Sequence, residues 1–147
     1  MTIAIDFDGT IVQHAYPAIG KPIPFAIESL KMLQTVDHHQ LILWSCREGA
    51  LLQEAIDYCH DRGLDFYAVN SNYPEEQQLD AQMPEGAFTP RKLKADLFID
   101  DRNLGGLPDW GVIYQMIHSG RSFEPASAVT ETPKKKESFL QRLFSGD

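Results

Sequence analysis

Short apolar runs that end in polar or acidic residues, alternating with segments of helical period, leave this chain few folds to choose from. Residues 2–6, Leu41–Trp44, Asp65–Val69 and Ala95–Ile99 are strand-length. The continuous apolar character of Leu41–Ile42–Leu43–Trp44 is that of a parallel strand covered on both faces. Between these runs, Ile23, Ile27, Leu30 and Leu33 mark one helical face up to about Val36, with Pro24 suited to the first turn. Leu52, Ala55, Ile56 and Cys59 mark a second face, closed by Gly63 at a C-terminal cap. Val112, Ile113, Met116 and Ile117 mark a third, between Asp109 as N-cap and Gly120 as C-cap. Strand and helix alternate, so the expected class is α/β, a three-layer sandwich about a parallel sheet with right-handed crossovers.

Two stretches break the alternation. Gln13–Pro24 is rich in Pro and Gly and reads as a hairpin-like flap, and Asn70–Pro90 is a polar loop longer than the usual connection. The 147 residues fit one domain, expected over residues 1–121, with no room for a second substrate domain. From Ser122 the apolar periodicity stops and Pro, Ser, Thr and Lys dominate, so residues 122–147 are expected to be a disordered tail. Within it, Lys134–Lys136 precede Phe139, Leu140, Leu143 and Phe144, a short basic–amphipathic stretch that reads either as a docking segment or as a frayed end.

A formal net charge of −8 argues against a general nucleic-acid binder, whose affinity is built from Lys and Arg neutralising phosphates. No signal-peptide pattern or membrane-length apolar stretch is evident, and a cytoplasmic protein is expected. Cys46 and Cys59 lack metal-type spacing and are expected as reduced thiols.

The chemistry is carried by what stands where the strands stop. Asp6 and Asp8 follow the first run, with Gly9 permitting a tight turn; Ser45 follows the second; Asp100 and Asp101 follow the fourth, and Lys92 lies just before it. Parallel strands bring their C-terminal ends together, and ligands of open α/β sheets bind at that edge. The carboxylates of Asp6, Asp8, Asp100 and Asp101 cannot all ionise in one pocket without a counter-ion, and hard oxygen donors in that number suit Mg²⁺. A carboxylate attacking a phosphate monoester faces repulsion of about 4 kcal/mol per charge pair at about 4 Å and an effective dielectric of about 20. Mg²⁺ and Lys92 would offset it. Asp8, close to other carboxylates, is expected to have a raised pKa, as a general acid near neutral pH requires.

Asp6-x-Asp8-Gly9-Thr10, Ser45, Lys92 and Asp100–Asp101 together resemble the four motifs of the haloacid dehalogenase superfamily, specifically its Mg²⁺-dependent phosphatases, over roughly residues 2–118. The resemblance implies a Rossmann-like sheet, with Asp6 as the nucleophile that becomes an aspartyl phosphate and Asp8 as the acid that protonates the leaving group and then activates water. It implies that Asp6, the backbone carbonyl of Asp8 and Asp100 hold Mg²⁺, with Asp101 the remaining candidate of the acidic cluster, that Ser45 hydrogen-bonds the transferring phosphoryl group, and that Lys92, with Lys94 as fallback, neutralises charge. The second acid, Asp8, separates phosphoryl transfer from the metal-free dehalogenases. Members of the superfamily tune specificity with inserted cap domains; only the flap around His14–Gly20 and the long loop stand in those places here, so the chain looks capless. An open site favours a large substrate, a phosphate on a bulky group, or a lid completed by a second subunit of a homo-oligomer.

Arg47, just after Ser45, could clamp phosphate or pair with an acid, two readings of equal weight. His14 and Tyr16 could reach a leaving group or simply pack the flap. Arg102 and Asn103 are expected to stabilise their loop, and Trp44 and Trp110 to lie in the core. The expected function is hydrolysis of a phosphorylated small molecule or bulky phosphomonoester. A nucleotide or nucleic-acid-end phosphatase and a catalytically idle binding protein are the alternatives.

Overall fold

The central strand is buried on both faces. In the computed structural model, which describes residues 1–76 and 93–120, Ile3, Ala4 and Ile5 of β1 (Thr2–Ile5) are fully shielded from solvent. The elements that follow are α1 (Ala26–Thr35), β2 (Gln40–Leu43), α2 (Gly49–His60), β3 (Ala68–Val69), β4 (Leu97–Ile99) and α3 (Trp110–Ser119). All strand pairs are parallel, in the order β3-β2-β1-β4, with Ile5 level with Leu43 on one side and Ile99 on the other.

One face of the sheet, carrying Ile3, Ile5, Leu41, Leu43 and Ile99, shares a buried cluster with Leu30 and Leu33 of α1, Ala55 and Cys59 of α2, and Trp110 and Ile113 of α3. Ala4, Ile42 and Ala68 form a smaller cluster with Leu93 on the other face. The parallel α/β class is as expected. Helices α1, α2 and α3 all pack on the first face, so none of these three supplies the third layer of the expected sandwich; residues 74–76 are also helical. Much of the long loop, Lys92 and the tail from residue 121 onward also lie outside them.

Several boundaries differ from expectation for physical reasons. α1 starts at Ala26 rather than at Pro24, because Phe25 takes a left-handed conformation (φ 63°) ahead of it. β3 keeps only two of its five expected residues; among the described residues it is an edge strand paired with β2, and Tyr67 adds one more N–H bond, to the Leu41 carbonyl. α3 is capped as expected: Asp109 accepts from the N–H groups of Gly111 (2.8 Å) and Val112 (3.3 Å), and Gly120 takes φ 63° at the other end. Its buried face is rotated from the expected one, however. Val112 is exposed, while Trp110 is buried because its indole N–H finds a partner in the Thr10 carbonyl at 3.0 Å. Trp44, expected in the core, is 37% exposed, with Phe98 packed edge-on against it at 5.1 Å.

The strand order turns a list of acids into a site. From β1 the chain steps outward to β2 and β3, then returns to place β4 on the other flank of β1. The carboxyl ends of β1 and β4 therefore meet where the winding reverses, the place at which open α/β sheets bind ligands.

Candidate active site

Asp6 stays tied to β4 through its backbone, donating its N–H to the Ile99 carbonyl at 2.9 Å, and so stands beside Asp100 and Asp101. The chain then turns sharply: the N–H groups of Ile11 and Val12 both reach back to the Phe7 carbonyl, and Gly9 adopts φ 100°. A side chain at Gly9 would also place its Cβ 2.3 Å from Asp101 Oδ2, so this position needs glycine for space as well as for conformation. Thr10, fully buried, fastens the two strand ends together. Its hydroxyl donates to Asp6 Oδ2 and accepts from the Asp101 N–H, both at 3.0 Å.

Oxygen atoms of Asp6, Asp100 and Asp101 lie within 4.8 Å of one another. Burial, reinforced by the charges of Asp100 and Asp101, pushes the Asp6 carboxyl up to about 6, against the opposing hydrogen bonds from the Phe7 backbone and the Thr10 hydroxyl. Asp101 Oδ1 is buried with no hydrogen-bond partner. Crowded carboxylates, one with its proton affinity raised by burial and one with an orphaned oxygen, are the donor set a hard divalent cation satisfies. Mg²⁺ therefore fits these residues.

Asp8 departs from expectation. Its carboxylate is not in the acidic cluster; both oxygens are engaged by Arg47, Oδ2 by Nε at 2.6 Å and Oδ1 by Nη2 at 2.7 Å. The crowding expected at Asp8 falls on Asp6 instead, because the chain leaves the extended path of β1 at the turn closed on the Phe7 carbonyl, and there Arg47 takes up both Asp8 oxygens. Arg47 is 1% exposed and sits near the faces of Phe7 (5.2 Å) and Tyr16 (5.4 Å), and the Asp8 carboxylate holds its guanidinium above its usual range. Of its two expected roles, pairing with an acid is the one present.

At the end of β2, Ser45 accepts the Arg47 backbone N–H on its Oγ (3.2 Å) and is clasped by a residue that inspection of the chain overlooked. The Asn70 side chain accepts from the Ser45 N–H at 2.8 Å and donates to its carbonyl at 2.9 Å. Asn70 takes φ 49°, which asparagine tolerates better than most residues; an Asn ending a strand is the signal that could have found it. Lys94 is exposed, its backbone N–H bonded to Asn72 at 2.7 Å.

Asp6, Asp8, Ser45, Arg47 and Asp100 line one cleft of about 410 Å³, and Asp101 adjoins it through its closeness to Asp6 and Asp100. The flap residues His14 and Tyr16 form part of its rim together with Trp44 and Arg102, so Arg102, expected only to stabilise its loop, borders the site as well. A smaller apolar hollow of about 250 Å³ between β4 and α3 has no titratable side chain among the described residues of its walls. Cys46 is exposed at the main cleft, whereas burial pushes the Cys59 thiol up to about 12.

A solved structure of a conserved protein from Bacteroides thetaiotaomicron is similar to this chain, with 63% sequence identity and a TM-score of 0.73, over 84% of this chain and 93% of that one. The two chains belong to one family. No protein-family model matches the chain, and no curated protein does. Membership therefore establishes shared fold and descent, and the chemistry rests on the residues. No described helix is long and apolar enough to cross a membrane.

Proposed function

We propose that this protein is a Mg²⁺-dependent phosphomonoester hydrolase that works through an aspartyl phosphate on Asp6, the reading implied by its resemblance to haloacid dehalogenase phosphatases. The observation that carries it is the convergence of Asp6, Asp100 and Asp101 at the reversal point of the sheet, with Asp8 and Ser45 on the same cleft. Asp6 Oδ would attack phosphorus as the ester P–O bond breaks, and Asp8, having taken a proton from solvent in place of one Arg47 hydrogen bond, would give that proton to the departing oxygen. In the second step a water attacks the aspartyl phosphate while Asp8 takes its proton, regenerating Asp6 and releasing inorganic phosphate. Bound by Asp6, Asp100 and the Asp8 carbonyl, with Asp101 beside them, Mg²⁺ would neutralise the charge that otherwise repels nucleophile and substrate. Ser45, its backbone clasped by the Asn70 side chain, is suited to hydrogen-bond the phosphoryl oxygens through its hydroxyl. The role assigned to Lys92 falls outside the described residues.

Trp44 and Tyr16, both substantially exposed on the cleft rim, favour a planar leaving group and keep the nucleotide reading as the second choice. The test is turnover of an aryl phosphate by purified protein with Mg²⁺, with excess EDTA, and with Asp6→Asn. Chelation should abolish turnover, and the variant should lose at least about a thousandfold in kcat. Undiminished activity in EDTA refutes the metal role, and near-native turnover by the variant refutes the covalent route. A nucleoside monophosphate preferred over glycerol phosphate would favour the second reading.

A further inference from the structure

The Arg47 side chain has more partners than an ion pair needs. Besides the two Asp8 oxygens, Nη1 donates to the Pro17 carbonyl and Nη2 to the Ala18 carbonyl, each at 2.9 Å. Pro17 and Ala18 lie in the flap that carries His14 and Tyr16 to the cleft rim, and Tyr16 lies near the same guanidinium. The base of the flap is closed by the Gln13 N–H to Lys21 carbonyl bond (2.7 Å) and by Gly20, where a Cβ would meet the Gln13 carbonyl at 1.8 Å. Its middle is held from beneath by Arg47. A buried, planar fork with four protein acceptors and the rings of Phe7 and Tyr16 close by can hold a carboxylate and a loop in fixed relation, which a lysine cannot do.

We infer that Arg47 is a positioning residue that ties the flap to Asp8, so that the proposed proton donor and the rim facing the leaving group move as one unit. The inference rests on the proposed phosphohydrolase reading for Asp8. It does not need Arg47 to touch phosphate. Its consequence is selective. An ester with a poor, alkoxide-like leaving group needs Asp8 to donate a proton as the P–O bond breaks, whereas an activated aryl phosphate does not. Because kcat/KM reports steps up to formation of the aspartyl phosphate, it isolates this donation from the later activation of water. Loss of Arg47 should therefore penalise alkyl esters far more than aryl ones. A residue that only supported the fold would lower both alike.

The experiment compares wild type with Arg47→Met and the milder Arg47→Lys, which keeps a charge facing Asp8 but not the fork. kcat/KM is measured for an alkyl and an activated aryl phosphate with Mg²⁺, and amide hydrogen exchange of residues 13–23 is followed by mass spectrometry. We expect the alkyl-to-aryl ratio of kcat/KM to fall at least about tenfold in Arg47→Met and partly in Arg47→Lys. Flap exchange should speed up in both variants, with the rest of the sheet unaltered. An unchanged or raised ratio overturns the link to Asp8, and unchanged flap exchange overturns the tie itself, whatever the activity. If wild type turns over neither ester, the phosphohydrolase reading fails and takes the leaving-group role with it; the exchange data then separately decide whether Arg47 holds the flap. Should Arg47→Met not fold, Arg47→Lys carries both measurements.

Discussion

Replacing Asp6 by Asn should abolish turnover and yet stabilise the metal-free fold. Burial and the neighbouring Asp100 and Asp101 raise the Asp6 carboxyl from 3.8 to about 6, so the folded protein holds this proton more tightly than the unfolded chain does. The stability linked to it is fully present below about pH 4 and lost as pH rises through about 6, since above that value the folded state carries a crowded anion. Asn resembles the protonated acid and can still accept from the Thr10 hydroxyl, so it escapes the loss. A shift of that size corresponds to about 3 kcal/mol at about 1.36 kcal/mol per pH unit. Partial exposure of Asp6 to screening solvent reduces this to about 1–2 kcal/mol, or about 2–8 °C in Tm. The assay is thermal unfolding of both proteins in EDTA from pH 4 to pH 8. The curves should coincide near pH 4 and separate in favour of Asp6→Asn by pH 8, and adding Mg²⁺ should raise wild type more than the variant. Equal Tm values at pH 8 in EDTA, or a less stable variant, would refute the idea that this cluster is electrostatically strained without a cation.

In Asp8→Asn, an activated phosphodonor with Mg²⁺ should leave one phosphoryl mass trapped on Asp6, labile to hydroxylamine, because Asn cannot activate the water of the second step; a phosphoryl group on Ser45 or a His would overturn the mechanism. Asp109→Ala removes the acceptor for the two N–H groups at the start of α3 and should cost about 1 kcal/mol, or about 2–4 °C in Tm, with Asp109→Ser restoring most of it and turnover unaffected. A thiol reagent should modify Cys46 rapidly in the folded protein and Cys59 only after denaturation, since Cys59 is buried with its thiol pushed up to about 12; simultaneous modification of both would contradict that burial.

The chain by itself determined the parallel α/β class, the placement of β1, β2 and α3, and the caps Asp109 and Gly120, because apolar period and cap chemistry are local properties. It also singled out Asp6, Asp100 and Asp101 as residues standing where strands stop. Three matters were settled only in three dimensions. Strand order placed β4 beside β1 rather than beyond β3, and that adjacency is what crowds Asp6. Asp8 turned away from the other acids toward Arg47, 39 residues along the chain. Asn70 reached back to clasp Ser45 across 25 residues. None of these pairings has a periodic or composition signal, since a side chain's partner depends on which segments the folded backbone brings within hydrogen-bond reach. The same holds for Trp44, apolar in a strand-like run yet standing at the cleft rim: its run continues the hydrophobic pattern of β2, but the sheet edge where it ends opens onto the cleft instead of the core.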